Sequence, residues 1–184
     1  MRDRTNRAPA DFTDVEELRA RARRNLGDGP VTADYTADRG TVLRLLDEAL
    51  ATEIVCWLRY KRHYFMAKGI HAESAANEFL EHATQEATHA DQIAARILQL
   101  QGAPDFAPAT LTDRSHAEYV EGRSLRDMIE EDLVAERIAI DSYREAIRFL
   151  GEDDPTTRRL FEEILATEEE HADDMLTLLE GTQP

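Results

Sequence analysis

Glu86-Ala87-Thr88-His89-Ala90-Asp91 and Glu168-Glu169-Glu170-His171-Ala172-Asp173 decide the reading of this chain, because both have the form E-x-x-H-A-D. A single E-x-x-H says little, since six His and 21 Glu among 184 residues give roughly 0.7 matches by chance. The context carries the weight. Each hexapeptide falls on the apolar stripe of a segment with 3.6-residue periodicity. Each is preceded by a glutamate on the stripe of an earlier segment: Glu53 stands 33 positions before Glu86, and Glu136 stands 32 before Glu168. Leu50, Glu53 and Tyr60 are echoed by Leu133, Glu136 and Tyr143 at the same spacing, so one helical hairpin repeats the other and a pseudo-twofold site between them is expected.

Working outward, four long helices are predicted. The first runs from about Thr41 to Ala67, with Leu46, Leu50, Glu53, Trp57, Tyr60 and Tyr64 on its inner stripe. The second spans about Ala72 to Gln101 and stops at Gly102, with Phe79, Ala83, Glu86, Ala90, Ile93, Ile97 and Leu100 inward. The third opens on Ser124 as N-cap and ends before Gly151, burying Leu125, Ile129, Leu133, Glu136, Ile140, Tyr143 and Ile147. The fourth has Asp154 as cap and Pro155 at its first position, burying Leu160, Ile164, Glu168, His171, Met175 and Leu178. Short links make the first and last pairs antiparallel hairpins. Between them about twenty residues, Gly102 to Arg123, include Pro104 and Pro108. That length lets the chain cross the bundle and run the third helix parallel to the second. The fold class is therefore all-α, a four-helix bundle with one long crossover, and a turn or two is expected near Ser115 to Glu121. Residues 1–37 form an Arg-rich extension, and 38–184 form the bundle. Thr13 and Glu16 match a capping box for a short helix ending near Gly27, with the rest of the extension mobile.

Composition narrows the partners. The net charge of -16, from 38 acidic and 22 basic residues, disfavours general binding to nucleic acid or anionic membrane and favours cations. The first 24 residues are the exception, with seven basic groups against five acidic ones, net +2. Cys56 is the single cysteine, so an internal disulfide or a four-thiolate metal site is excluded and a reducing cytoplasm is expected. No apolar run approaches the ~20 residues needed to span a bilayer, and the N-terminus has no signal-like apolar region.

The chemistry rests on Glu53, Glu86, His89, Glu136, Glu168 and His171. Four ionised carboxylates in one core would cost several kcal/mol each if left unpaired. Two divalent cations balance four glutamates, and oxygen-rich ligation with one imidazole per metal suits iron or manganese. Residues at i and i+3 lie ~4.5 Å apart along a helix axis, so Glu and His of one hexapeptide reach the same cluster. Taken singly, each of these residues also has an ordinary structural role, as a half-buried glutamate or a satisfied helix histidine. His63, His71, His82 and His116 are expected to be solvated or loop histidines, with His82 nearest to the site.

Over about residues 40 to 180 this pattern resembles the ferritin-like di-iron carboxylate family. It is most similar to bacterioferritins and to Dps-like (DNA-protection-during-starvation-like) mini-ferritins with a bacterioferritin-type centre. The resemblance implies an intrasubunit ferroxidase site holding two Fe ions, with Mn or Zn as substitutes. Glu86 and Glu168 would bridge, Glu53 and His89 would be terminal on one iron, and Glu136 and His171 on the other. It also implies iron storage and detoxification with hydrogen peroxide or dioxygen as oxidant, within a hollow homo-oligomeric shell. Tyr60, seven residues after Glu53, and its counterpart Tyr143 would take part in electron transfer, though both also read as core aromatics. Asp132, one turn before Glu136, would accept from a ligand histidine. Ala87 stands where bacterioferritins carry the haem-ligating methionine, so haem is not expected. The chain has only Gly181 to Pro184 after its fourth helix, which with the N-terminal extension favours a dodecamer over a 24-mer. Alternatives are a di-iron or di-manganese peroxidase or catalase, and a DNA-protecting protein using the Arg-rich N-terminus.

Overall fold

A computed structural model of the chain describes residues 12–69 and 72–181. The first eleven residues of the Arg-rich extension, His71 and residues 182–184 lie outside them. The described residues contain helices and turns and no strand. The chain divides after Tyr35 into two units.

In the first unit, α1 (Val15–Ala22) is capped by Asp14, whose Oδ2 accepts from the backbone N–H of Glu16 at 2.9 Å. The capping box on Thr13 is thus displaced by one residue, and Thr13 instead accepts from Arg21 through its hydroxyl. The helix ends at Ala22, not near Gly27; a separate 3-10 turn, Leu26–Asp28, follows left-handed Asn25.

The second unit is the four-helix bundle: α2 (Arg39–Met66), α3 (Ala72–Gln99), α5 (Leu125–Leu150) and α6 (Pro155–Gly181), with α4 (Leu111–Arg114) in the crossover. Helices α2 and α3 pack as one hairpin and α5 and α6 as the other. Ser124 caps α5 by accepting from the N–H of Asp127 at 3.1 Å. Asp154 caps α6 by accepting from the N–H of Thr157 at 2.9 Å and also holds buried Arg96 at 2.9 and 3.1 Å, which pins the end of α3 to the start of α6. The turn inside the crossover comes earlier than Ser115: Pro108 opens a 3-10 turn that runs into α4. Proline supplies a preset φ and lacks the N–H that a first turn leaves unbonded.

The core contains Leu46, Leu50, Phe79, Ile93, Ile97, Ile129, Phe161 and Ile164. Trp57 departs from the predicted stripe and is 37% exposed; buried Cys56 and Arg59 occupy the inward azimuths on either side of it. On α6 it is Phe161, not Leu160, that is fully buried.

The crossover is held by charge as well as by apolar contact. Arg59 donates from Nε to Asp132 Oδ1 at 2.9 Å and from Nη1 to the carbonyl of Glu118 at 2.8 Å. His63 lies 2.7 Å from Asp132 Oδ2 through Nδ1 and 3.1 Å from the carbonyl of Val120 through Nε2. All three side chains are buried. A buried ion pair needs its remaining donors and acceptors satisfied, and here the passing crossover backbone supplies two of the acceptors. Gly122 closes this segment at φ +66°, where an added Cβ would collide with the Met128 side chain.

Candidate metal centre

Each helix of the bundle contributes two inward groups: Glu53 and Tyr60 from α2, Glu86 and His89 from α3, Glu136 and Tyr143 from α5, Glu168 and His171 from α6. The side chains of all eight are buried. Their polar atoms gather into two overlapping sets. Glu53, Glu86, His89 and Glu168 place one donor atom each within 4.8 Å of one another, and so do Glu86, Glu136, Glu168 and His171. Glu86 and Glu168 belong to both sets, so each stands between two cages.

Within the first cage, His89 Nδ1 is 3.0 Å from Glu53 Oε2 and 3.0 Å from Glu168 Oε1. Within the second, His171 Nδ1 is 3.4 Å from Glu168 Oε2, 3.5 Å from Glu86 Oε1 and 3.8 Å from Glu136 Oε2. The tyrosines cross between hairpins: the Tyr60 hydroxyl donates to Glu136 Oε1, and the Tyr143 hydroxyl donates to Glu53 Oε1. Each therefore orients the glutamate of the opposite hairpin. His171 Nε2 lies 2.7 Å from Gln85 Oε1. An amide oxygen only accepts, so Nε2 carries a proton and Nδ1 faces the carboxylates.

Tools of ordinary folding do not satisfy this cluster. Glu86 Oε1, Glu136 Oε2 and His171 Nδ1 are buried without a hydrogen-bond partner, and such atoms normally find one. The donor set, four carboxylates and two imidazoles, fits two hard or borderline divalent cations. Without a cation, protons fill the deficit. Burial, then repulsion from Glu168, Glu53 and Glu136, pushes the Glu86 carboxyl well up. Burial and Glu53 push Glu168 up to about 8. Burial alone would lower both histidines, but Glu168 and Glu53 raise His89 to about 9, and Glu136 and Glu168 raise His171 to about 10. At Glu136 burial is outweighed by His171, Glu168 and Tyr60, and its carboxyl falls to about 2.

Several neighbours differ from the sequence reading or were missed by it. Asp132 does not accept from a cage histidine; it pairs with Arg59 and His63, because both project from α2 toward it while the cage histidines face Glu53, Glu86, Glu136 and Glu168. His63 and His82 are buried, not solvated. The His82 ring stacks on His171 with centroids 3.9 Å apart, and its Nδ1 lies 3.3 Å from the Tyr60 hydroxyl. Gln85 sits one residue before a cage glutamate, a place that periodicity does not flag. Cys56 is buried between Ala117 and Ala135, and burial pushes its thiol well up. Among the described residues no helix is long and apolar enough to cross a membrane.

Comparison with known proteins places the chain in a family. Residues 43–183 match the ferritin-like domain family. The chain is 35% identical over 140 residues to a bacterioferritin of Mycobacterium avium, covering 76% of this chain and 84% of that one. Among solved structures it resembles the bacterioferritin-related protein of Bacteroides fragilis, a dodecameric thioferritin. The TM-score is 0.76 at 29% identity, over 78% of this chain and 87% of that one. It also resembles the bacterioferritin of Rhodobacter capsulatus, which has a metal-free dinuclear site and haem iron. There the TM-score is 0.67 at 28% identity, over 77% and 84% of the two chains. With its family match spanning most of its length, the chain belongs to the ferritin-like domain family.

Proposed function

We propose that this protein is a ferroxidase that takes Fe2+ as substrate at the paired cages and stores or detoxifies the Fe3+ produced. The observation that carries this reading is the sharing of Glu86 and Glu168 between two four-donor sets in which Glu86 Oε1, Glu136 Oε2 and His171 Nδ1 are buried without a hydrogen-bond partner. One Fe2+ would be held by Glu53, His89, Glu86 and Glu168, and the other by Glu136, His171, Glu86 and Glu168. With hydrogen peroxide as oxidant, two Fe2+ each give one electron, peroxide takes both, its O–O bond breaks, and two protons complete two waters. Dioxygen in place of peroxide takes the same pair of electrons and gives peroxide. Delivering both electrons together avoids release of hydroxyl radical.

The chain's own residues prepare this step. Gln85 fixes the tautomer of His171, the two tyrosine hydroxyls hold Glu136 and Glu53 in place, and protons on Glu86, Glu168, His89 and His171 are displaced as cations arrive. The activity belongs to residues 38–184, with residues 1–37 as an extension. Alanine at position 87 has no group to ligate haem iron. The likeness to a dodecameric thioferritin supports a twelve-subunit shell.

The test is to load Fe2+ anaerobically, add peroxide or dioxygen, and follow Fe3+ absorbance for the wild type and Glu86→Ala. Fast oxidation in the wild type and its loss in the variant are expected. Equal rates would exclude these cages as the oxidation site.

A further inference from the structure

Next to the paired cages the internal twofold breaks. A shift of 82 positions carries α3 onto α6, taking Glu86 to Glu168, His89 to His171 and Phe79 to Phe161. The same shift takes Glu78 to Leu160 and His82 to Ile164, while the reverse shift takes Asp174 to Gln92. Bundle packing is thus met by leucine and isoleucine at the positions where α3 has glutamate and histidine. A buried histidine in an isoleucine's place costs desolvation unless something uses its nitrogens.

What surrounds His82 points to a cation. Its ring is buried against His171, and its Nε2 is 3.3 Å from Asp174 Oδ2 and 3.9 Å from Glu78 Oε2. One donor atom from each of the three lies within 4.8 Å of the others. Metal–ligand bonds of about 2.1 Å place neighbouring tetrahedral ligands about 3.4 Å apart, a spacing that His82 and Asp174 already have at 3.3 Å and that Glu78, 3.9 Å from His82, reaches by a small side-chain shift. The two carboxylates keep 34% and 44% of their side chains exposed, at Glu78 and Asp174, whereas His82 keeps 2%. The cluster therefore opens to solvent on one side and abuts a cage histidine on the other. Partial burial, then Asp174 and Glu81, raise the Glu78 carboxyl, a crowding of negative charge that a bound cation relieves.

We propose that Glu78, His82 and Asp174 form a third cation site, for a first-row divalent metal, on the solvent side of His171. Two carboxylates and one imidazole suit Fe2+, Mn2+, Co2+ or Zn2+. Transfer of Fe2+ from this site past His171 into the cages is the part that rests on the function proposed above; binding at the site does not.

The experiment is an anaerobic Co2+ titration of the full chain in its native assembly, read by visible absorption and calorimetry. The wild type is expected to bind three equivalents per chain. Glu78→Gln/Asp174→Asn, isosteric and partly exposed, is expected to bind two, with affinity at the third position weakened at least about 10-fold. Glu86→Ala is expected to keep one equivalent, the one that Glu78→Gln/Asp174→Asn removes. Two equivalents in the wild type, or three in the double variant, overturn the third site. A Glu86→Ala protein that still binds three refutes the cages and leaves the third site standing. With Fe2+ below one equivalent, the double variant should oxidise several-fold more slowly; an unchanged rate overturns the transfer step.

Discussion

Replacing Glu86 with glutamine separates a metal centre from an ordinary buried polar cluster, because the two readings give opposite results. In the metal-free protein Glu86 is 1% exposed, and its carboxyl is pushed well up by burial and by Glu168, Glu53 and Glu136. Burial and these neighbours therefore favour its neutral acid over its anion. An amide keeps the volume, carries no charge and can donate where the neutral acid donates, so metal-free stability should change little. Metal reverses the comparison. A cation at 100 times its Kd stabilises the wild type by about 2.7 kcal/mol, which for a chain of this size raises Tm by about 5–11 °C. Glutamine takes an anionic oxygen from both cages at once. If affinity falls about 100-fold, the same concentration equals the new Kd, and the gain that comes from the cages drops to about 0.4 kcal/mol, under about 2 °C. The assay is calorimetric melting at one protein concentration, with chelator and then with Co2+. Equal Co2+ shifts in the two proteins, or a chelated variant melting well below the chelated wild type, would refute the assignment of Glu86 as a shared ligand.

Three further outcomes are expected. Asp132→Ala leaves Arg59 buried without its carboxylate and should cost about 3–5 kcal/mol in denaturant unfolding, whereas replacing Arg59 and Asp132 together with apolar residues of matching volume should cost less. His89 and His171, raised from 6.5 to about 9 and about 10, and Glu168, raised from 4.5 to about 8, contribute stability that is complete below those ordinary values and lost as pH rises through the raised ones. Metal-free Tm should therefore fall from pH 7 to pH 10 while Co2+ affinity rises, with proton release detected by calorimetry in two buffers of different ionisation enthalpy. Tyr60→Phe leaves Glu136 Oε1 without its donor and should cost about 1–3 kcal/mol in the chelated protein by denaturant unfolding.

The bundle and the cage residues were legible because they repeat. Apolar residues at helical spacing fix which azimuth faces inward, and a glutamate or histidine on that azimuth has no water to turn to. Glu53, Glu86, His89, Glu136, Glu168 and His171 all lie on such stripes, and the structure brings their polar atoms together. Residues that the crossover needs could not be read in this way. Arg59 and His63 look like solvated polar positions of α2 until the crossover carbonyls of Glu118 and Val120 pass over them. Long-range contacts of that kind leave no periodic trace. Trp57 failed for the complementary reason: a large aromatic beside a stripe reads as core, but Cys56 and Arg59 fill the inward azimuths and leave it 37% exposed. The capping of α1 turned on a single residue, Asp14 for Thr13, and both types are good caps.

The departures from symmetry have a common logic. Shifting 83 positions from α2 to α5 carries Glu53 to Glu136 and Tyr60 to Tyr143, so the cages obey the twofold. The same shift carries Arg59 to Ser142 and His63 to Ala146, and its reverse carries Asp132 to Ala49. The charged clamp exists where the crossover backbone supplies acceptors to it, and small residues stand at the related positions. Around the cages the inequality continues: His171 touches Gln85 and His82, while His89 meets Glu53 and Glu168. A duplicated hairpin gives two matched donor sets, and a single crossover must break their equivalence. One cage is consequently bordered by the solvent-facing trio of Glu78, His82 and Asp174, and its twofold mate by leucine, isoleucine and glutamine. The trio beside His171 thus has no counterpart at Leu160, Ile164 and Gln92, and the symmetric core carries an asymmetric border.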